Sequence, residues 1–396
     1  MKHRAGRLFL LSLLLLFFGF STGSPVFLAP AMIFLCMILY AWLSLFLASR
    51  SLSLTLTPSG TRFRRGDTAS FSVFCRLKSP LPLSPLRISI CTEEGSEVQT
   101  RTLTNLPGRG QELILTHPLR HVGVSRPRVT MVHMEDLFSL FSRDLVPKMQ
   151  TTEILVLPVP FDVDPLHFSQ GEEANDMIAR ATEDNTSPSD IRSYQAGDPM
   201  KKIHWKASLR LQDLVIRRFE EPEMPDALIL MDCTAPGTEG LAAADLRDSL
   251  LETAASVIRC QLPLDHPLRM PLYGSFSVML DKSMGLERML EHLARFDFSQ
   301  RDAFEEILRL EAGRMRKVGS FVIITSRLSG EMVDILISMR RMGPALRLYL
   351  CSLHPDAQDI QPFIARLQVA GCEVCYVQPS PTQPQADPDT GKPGDE

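Results

Sequence analysis

The chain has 396 residues, of which 44% are hydrophobic and 22% are charged. A single hydrophobic core seldom grows past about 250 residues, so this length predicts more than one domain. The 42 Lys and Arg residues against 46 Asp and Glu leave a net charge of −4, which excludes the global positive field that draws a protein onto nucleic acid. Any basic surface must therefore be local.

The segment of residues 8–49 contains no charged side chain. As a helix it would extend about 60 Å, which is two crossings of a hydrocarbon core. Small residues with Gly23 and Pro25 predict a turn between two legs, so residues 1–50 are predicted to form a transmembrane hairpin. Cations flank both ends and the turn has none, which predicts that both ends face the cytoplasm. A cleaved signal peptide in place of the first leg is the alternative.

The soluble body shows two different patterns. Residues 51–158 consist of short alternating runs, such as LSLTLT and ASFSVFCRL, between Gly, Pro and Ser clusters, and predict an antiparallel β-sandwich-like domain. Residues 159–225 are polar and irregular. Strands alternate with helices over residues 226–378, which predicts a doubly wound α/β domain whose helices end at Gly343 and Gly371. The Pro-, Asp- and Gly-rich tail, residues 379–396, is predicted to be disordered.

The eight cysteines lie mostly in apolar runs, without two Cys-x-x-Cys pairs or histidines at zinc spacing. Cys372 and Cys375 form one lone Cys-x-x-Cys pair in an expected terminal strand. Strand alternation would place them on opposite faces, so we interpret them as buried thiols rather than a redox pair. The cysteines therefore indicate a reducing compartment.

The end of the first α/β strand is a candidate metal site, because open α/β sheets bind ligands at the carboxyl ends of their strands. Asp232, Thr234 and Pro236 stand at the positions of an Asp-x-Ser-x-Ser triad that holds Mg²⁺. Pro236 cannot supply a hydroxyl, and Thr325 and Ser326 end a later strand where a second acid would help. We therefore predict a degenerate site without metal, in which Asp232 forms a turn. Metal-dependent protein binding through Asp232 is the alternative.

Residues 189–220 concentrate charged and aromatic side chains. Six Lys and Arg residues lie between Lys201 and Arg218, with Trp205 and Tyr194 as stacking surfaces. The acidic chain lacks the repeated aromatics of nucleic-acid-binding folds, so no nucleic acid is expected as a partner.

A hydrolase would need His204 with Asp190 or Asp198 and Ser208. The chain has no Gly-x-Ser-x-Gly motif and no local Cys-His signature to support such a site. We therefore expect no enzymatic activity, and a hydrolase acting through His204 is the alternative.

The same segment resembles the signature of the DUF58 family, which runs R-x-Y-x-x-G-D and then I-x-W-K-x-[ST]-A-R. Its places are filled by Arg192, Tyr194, Gly197, Asp198, Ile203, Trp205, Lys206, Ser208 and Arg210. Leu209 stands where the family usually has Ala. The sequence MEDLFSLF (residues 134–141) is similar to the DPFGLF-type exit of the family, but lacks its Pro and Gly.

The resemblance implies two transmembrane segments at a bacterial inner membrane, a β-sandwich-like domain and a von Willebrand factor A-like domain. It implies a non-enzymatic adaptor that acts with a MoxR-type AAA+ ATPase and a transglutaminase-like membrane protein in the assembly or maturation of other proteins. No cofactor is expected.

The residues themselves favour an interdomain clasp or a partner-docking surface for this segment. Gly197 and Asp198 are expected in a turn, followed by Ile203 and Trp205 in alternation as anchors to the sheet domain. The cations are expected to pair with carboxylates of the chain or of a partner. The residues of this clasp or docking surface are Arg192, Tyr194, Gly197, Asp198, His204, Trp205, Lys206, Ser208 and Arg210.

Overall fold

A computed structural model describes residues 2–78, 81, 84–91, 99–103, 110–147, 152–166, 191–195, 200, 203–217, 226–235, 237–264, 266–274, 277–300, 302–314, 318–354 and 358–379. The chain divides into two compact units, Met1–Leu157 and Pro158–Glu396. The predicted disordered tail lies, except for its first residue, outside the described residues.

The first unit begins with two long apolar helices, as predicted. They are α1 (Lys2–Thr22) and α2 (Pro25–Ser51), and both are long and apolar enough to cross a membrane. Gly23 joins them at φ +63°, a left-handed conformation that glycine adopts without steric cost. Pro25 opens α2, a position where its missing N–H costs no helical hydrogen bond.

Antiparallel sheets follow the two helices, so the antiparallel strands predicted for residues 51–158 are confirmed. The strands are β1 (Leu52–Pro58), β2 (Arg62–Arg64), β3 (Thr68–Leu77), β4 (Leu86–Cys91), β5 (Gln99–Leu103), β6 (Gly110–Pro118), β7 (Gly123–Ser125), β8 (Arg128–Glu135), β9 (Ser142–Leu145) and β10 (Ile154–Leu157). One sheet has the order β1-β3-β6 and another β5-β4-β8-β9, and all neighbours in both are antiparallel. A small mixed sheet, β2-β10-β7, completes the unit.

A single hydrophobic core joins these sheets to the end of α2. Phe71 of β3, Ile88 of β4 and Ile154 of β10 all belong to it, and so do Leu45 and Ala48 of α2. Helix α2 ends at Ser51 and β1 begins at the next residue. The last two turns of α2 are therefore part of the core of the sheets.

The second unit contains a six-stranded mixed sheet with helices between its strands. Its elements are β13 (Asp226–Met231), α4 (Leu241–Gln261), β14 (Leu268–Leu272), β15 (Val278–Asp281), α5 (Leu286–Ala294), α6 (Phe304–Ala312), β16 (Val318–Thr325), α7 (Gly330–Arg341), β17 (Ala345–Cys351), α8 (Gln361–Val369) and β18 (Glu373–Val377). The strand order is β15-β14-β13-β16-β17-β18. Only the β14–β15 pair is antiparallel within this sheet.

Helices cover both faces of this sheet. Phe321 and Leu348 pack with residues of α6, α7 and α8, whereas Cys351, on the opposite face from Leu348, lies 3.6 Å from the hydroxyl of Thr253 in α4. Gly343 and Gly371 follow the ends of α7 and α8 with φ of +114° and +78°, so their predicted role at helix ends is confirmed.

A strap of residues 158–166 packs along the last turns of α4. The Phe161 N–H donates to Ser256 Oγ at 2.8 Å, and Gln261 Nε2 donates to the Leu166 carbonyl at 3.3 Å. The guanidinium of Arg347 in β17 donates to the carbonyl of Asp164. The chain therefore joins the α/β unit well before its first sheet strand.

Candidate functional site

The motif segment, predicted to be irregular, folds into a small module of two strands and one helix. The elements are β11 (Ile191–Ser193), α3 (Trp205–Leu211) and β12 (Val215–Arg217), with β11 antiparallel to β12. The Tyr194 N–H donates to the Leu214 carbonyl at 2.7 Å, and the His204 N–H donates to the Val215 carbonyl at 2.9 Å. These bonds bring both halves of the motif together at β12.

The side chains of His204 and Ser208 are used within this module. His204 caps α3, with Nδ1 accepting from the Ala207 N–H at 3.3 Å. Ser208 is buried, and its Oγ accepts from the Val215 N–H at 3.0 Å. No side-chain hydrogen bond joins His204 to Ser208 among the described residues, and Asp190 and Asp198 lie outside them. The His204 side chain therefore caps the helix, and the Ser208 side chain holds the helix to the strand.

The expected alternation of Ile203 and Trp205 as two anchors is wrong. Ile203 is buried, but α3 begins at Trp205 and turns that side chain outward, leaving it 61% exposed. Leu209, one helical turn later, is 82% exposed. Lys206 and Arg210 are exposed beside them. We call Trp205, Lys206, Leu209 and Arg210 the α3 outer face.

Three further motif residues are Arg192, Gly197 and Asp198. Arg192 lies in β11, paired through its backbone with Ile216, and its side chain is not described. Gly197 and Asp198 lie outside the described residues. The turn at Gly197 and the ion pairs of Arg192 therefore stay predictions.

The carboxyl ends of β13 and β16 form a second candidate site around Asp232. These strands are parallel neighbours at the centre of the sheet, with chain connections leaving to opposite sides, the location where open α/β sheets bind ligands. The side chain of Asp232 is 2% exposed. Its Oδ1 accepts from the N–H and hydroxyl of Thr234 at 3.1 and 2.6 Å. Its Oδ2 accepts from Thr325 Oγ1 and Arg327 Nε, both at 3.0 Å.

This geometry confirms Asp232 as a turn-former and adds a partner that sequence reasoning missed. A carboxylate has about four acceptor positions. Thr234 and Arg327 direct three donors at them, and the Thr325 hydroxyl is shared between Asp232 Oδ2 and the Arg327 carbonyl at 2.9 Å. The guanidinium of Arg327 supplies the positive charge next to the buried carboxylate. The sequence TSRL could have indicated this partner, because its arginine, Arg327, lies two residues after the end of β16. Pro236 lies outside the described residues.

Four further titratable groups of the α/β unit are neutral at physiological pH. Burial raises the pKa of the Cys233 thiol to about 12. Burial and a 2.9 Å hydrogen bond to Glu311 raise the pKa of Tyr273 to about 12. Burial also raises the pKa of Cys372 and of Cys375. All four groups keep their protons, so none is an activated nucleophile.

The comparisons with known proteins agree with the motif. The family model described as "Protein of unknown function DUF58" matches residues 190–263, a range that covers α3, β12, β13 and Asp232. A protein of Bacillus subtilis (strain 168) described as "Uncharacterized protein YeaD" is 22% identical over 317 residues, spanning 76% of this chain and 77% of that protein.

Solved structures give only weak similarity. The PKD domain of an M14-like peptidase from a Thermoplasmatales archaeon is 15% identical, with 26% of this chain and 92% of that chain covered, at a TM-score of 0.17. Cwp6 from Clostridium difficile is 10% identical, with 83% and 53% covered, at a TM-score of 0.20. Scores this low carry no argument about fold or function.

Fold and motif together define the class, which is a sheet-rich protein with two apolar N-terminal helices. A short strand–helix–strand module is followed along the chain by a mixed sheet with helices between its strands. Residues 190–263 match the DUF58 family model, and the resemblance seen in the motif is confirmed.

Proposed function

We propose that the protein is a membrane-tethered, non-enzymatic adaptor that docks a partner protein on the α3 outer face. The observation that carries the proposal is the exposure of Trp205 and Leu209, at 61% and 82%, inside the DUF58 domain. Residues one turn apart on a helix lie side by side, so they form one apolar patch. Tryptophan is enriched among the residues that dominate protein–protein binding energy.

The charges of this face indicate the chemistry of the partner. Lys206 and Arg210 are exposed beside the apolar pair. A partner surface with an apolar centre and an acidic rim would complement both features, because complementary potentials favour encounter and fix orientation.

The inward side of the module supports a non-enzymatic role. His204 Nδ1 accepts from the Ala207 N–H of α3, and Ser208 Oγ accepts from the Val215 N–H of β12. A general base must reach the proton that it removes, and this pair is committed to holding the helix in place.

We also infer that the α/β unit is a von Willebrand factor A-like, protein-binding domain. Numbered along the chain, its sheet strands have the order 3-2-1-4-5-6, with the third strand antiparallel at the edge. Asp232 lies at the end of the first of these strands, where the triad was expected. The pairing of Asp232 with Arg327 supports binding that does not depend on a metal ion.

The two apolar helices support a membrane tether. The cations that flank them favour both chain ends in the cytoplasm, and the family resemblance implies a bacterial inner membrane. The resemblance to DUF58 proteins implies a MoxR-type AAA+ ATPase as the partner, and a transglutaminase-like membrane protein as a further component of the same complex. The adaptor would act in the assembly or maturation of other proteins.

Co-purification of the detergent-solubilised full-length chain with a MoxR-type ATPase tests the proposal. Replacing hot-spot residues by alanine costs about 2 kcal/mol or more, so W205A/L209A is expected to weaken ATPase binding by about 30-fold. Val369, 91% exposed at the end of α8, provides the matched control V369A, which is expected to bind like the wild type. Undiminished binding by folded W205A/L209A, or no ATPase bound by the wild type, would contradict the proposal.

A further inference from the structure

The loop between β8 and β9, residues 136–141, presents two exposed apolar side chains. Leu137 is 50% exposed and Phe138 is 43% exposed. We call residues 136–141 the exit loop. Large apolar residues that stand out together from a soluble domain indicate a contact surface.

A buried carboxylate fixes the conformation of the exit loop. Asp136 is fully buried, and its Oδ2 and Oδ1 accept from the N–H groups of Phe138 at 2.8 Å and Phe141 at 2.6 Å. The Ser139 N–H donates to the Asp136 carbonyl at 3.0 Å. Carboxylate bonds to backbone N–H groups are among the stronger hydrogen bonds. The outward direction of Phe138 is therefore built into the loop.

The other side of the exit loop packs against the helical hairpin. Leu140 is 7% exposed and forms a cluster with Ala5 of α1 and Ala41 of α2. The ring of Phe138 lies edge-on to the ring of Tyr40, with centroids 6.1 Å apart. The loop thus contacts both helices of the hairpin at one end.

That end of the hairpin corresponds to a membrane interface. Because Leu45 and Ala48 belong to the core of the sheets, about 20 residues of α2 are left to cross a bilayer, which is about 30 Å of helix. Tyr40 lies about four residues from the end of this span, and Trp42 is close by. Tyrosine and tryptophan concentrate at this level of membrane helices. The exposed side chain of Arg4 on α1 marks the same end.

We propose that the exit loop inserts Leu137 and Phe138 into the headgroup–acyl boundary of the bilayer that holds the hairpin. This inference rests on the proposed membrane tether. Its occupant is lipid, because Phe138 adjoins Tyr40 and the loop packs on the apolar hairpin through Leu140. Two helices and one loop would then hold the sheets of this unit in a fixed orientation to the membrane.

The chain has two tryptophans, Trp42 and Trp205, which allows a fluorescence test on the full-length protein in nanodiscs with brominated acyl chains. W205F keeps Trp42 as a reporter of hairpin insertion. F138W in a W42F/W205F background reports on the exit loop. I114W in the same background is the control, because Ile114 is 67% exposed but lies far from the hairpin. Ile114 pairs with Ser72, and Ser72 pairs on its other side with Thr57. Thr57 lies about 17 Å along β1 from the end of α2.

We expect brominated lipid to remove most of the emission of Trp42 and of the tryptophan at position 138, and little of that at position 114. Quenching of Trp42 without quenching at position 138 would overturn the inference and leave the tether intact. An emission at position 138 that is blue-shifted but unquenched would show that a second copy covers the loop, and would also overturn it. Absence of quenching at Trp42 would refute the tether itself.

Discussion

Removal of the Arg327 guanidinium tests the interpretation of the site at Asp232. The carboxylate of Asp232 is 2% exposed and lies 3.0 Å from Arg327 Nε, while the Arg327 side chain is 51% exposed. R327A leaves the carboxylate buried with the Thr234 and Thr325 donors but without its counter-charge. We expect the α/β unit to be destabilised and its affinity for a divalent cation to rise.

The expected loss of stability follows from the burial of the pair. Breaking a fully buried ion pair costs about 3–5 kcal/mol. Since water reaches half of the Arg327 side chain, we expect about 1–3 kcal/mol for R327A. In a domain of 150–250 residues, a loss of 1 kcal/mol lowers the midpoint of thermal unfolding by about 2–4 °C. Calorimetry of the full-length R327A protein is therefore expected to show the α/β unit unfolding about 2–12 °C lower than in the wild type.

Mg²⁺ should then stabilise the variant. R327A frees an acceptor position on Asp232 Oδ2 next to the hydroxyls of Thr234 and Thr325, and Mg²⁺ prefers oxygen ligands of this kind. At ten times the dissociation constant, bound Mg²⁺ adds about 1.4 kcal/mol to the free energy of unfolding. D232N/R327A is expected to show no such shift.

R309A is the matched control, because Arg309 pairs with Glu331 while both side chains are more than half exposed. Exposed pairs contribute about 1 kcal/mol or less. The reasoning would be refuted if R327A unfolded like R309A, or if the wild type gained as much stability from Mg²⁺ as R327A does.

Two further predictions concern the first unit. His133 binds Glu135 at 2.9 Å and Asp144 at 2.5 Å, and these two carboxylates raise its pKa. The stability that His133 adds is therefore complete below its unfolded pKa near 6.5, and is lost as pH rises through its folded pKa. The midpoint of urea unfolding should fall from pH 6 towards pH 8 in the wild type and not in H133Q. Ser139 has φ +52°, so S139G is expected to stabilise the unit by about 0.5–1 kcal/mol; an unchanged or lower urea midpoint would argue against strain at this residue.

The elements with long or regular patterns were predictable from the sequence. The length of the apolar runs indicated α1 and α2, because only a span of about 20 apolar residues crosses a bilayer as a helix. Strict alternation of apolar and polar residues indicated strands such as β3, in which every second residue is buried. The glycines at 343 and 371 indicated the ends of α7 and α8, because the left-handed conformation there favours glycine.

Helix α3 was missed because its stability does not come from its own sequence. It has seven residues, too few for a periodic pattern to be recognised. Its cap is His204 rather than one of the commoner Ser, Thr, Asp or Asn caps. The bond from the Val215 N–H to Ser208 Oγ joins residues of different elements, so the helix depends on tertiary contacts.

Arg327 was missed for a related reason. It pairs with Asp232 across 95 positions of sequence, and the pairing exists only because β13 and β16 are neighbours in the sheet. Local patterns locate the ends of strands, but the order of strands determines which ends meet. The Asp232 turn was predictable because its Thr234 partner is two residues away.

The exit loop shows how a resemblance can indicate a conformation before the structure is known. The DPFGLF-type exit that residues 134–141 resemble would place a glycine at Ser139, and the structure has a positive φ at this residue. The chain keeps the loop with serine because Asp136 binds two backbone N–H groups of the loop.

The contrast between the two sides of α3 is the strongest reason to place function at its outer face. Ser208 is buried and His204 caps the helix, so replacing either would report on stability. Trp205 and Leu209 point outward, where each forgoes the 1.5–3 kcal/mol or so that burying a large apolar side chain provides. One exposed leucine carries no information, but an exposed tryptophan one turn away from it, flanked by two cations, makes a contiguous surface. Such a surface is stabilised only when another molecule covers it.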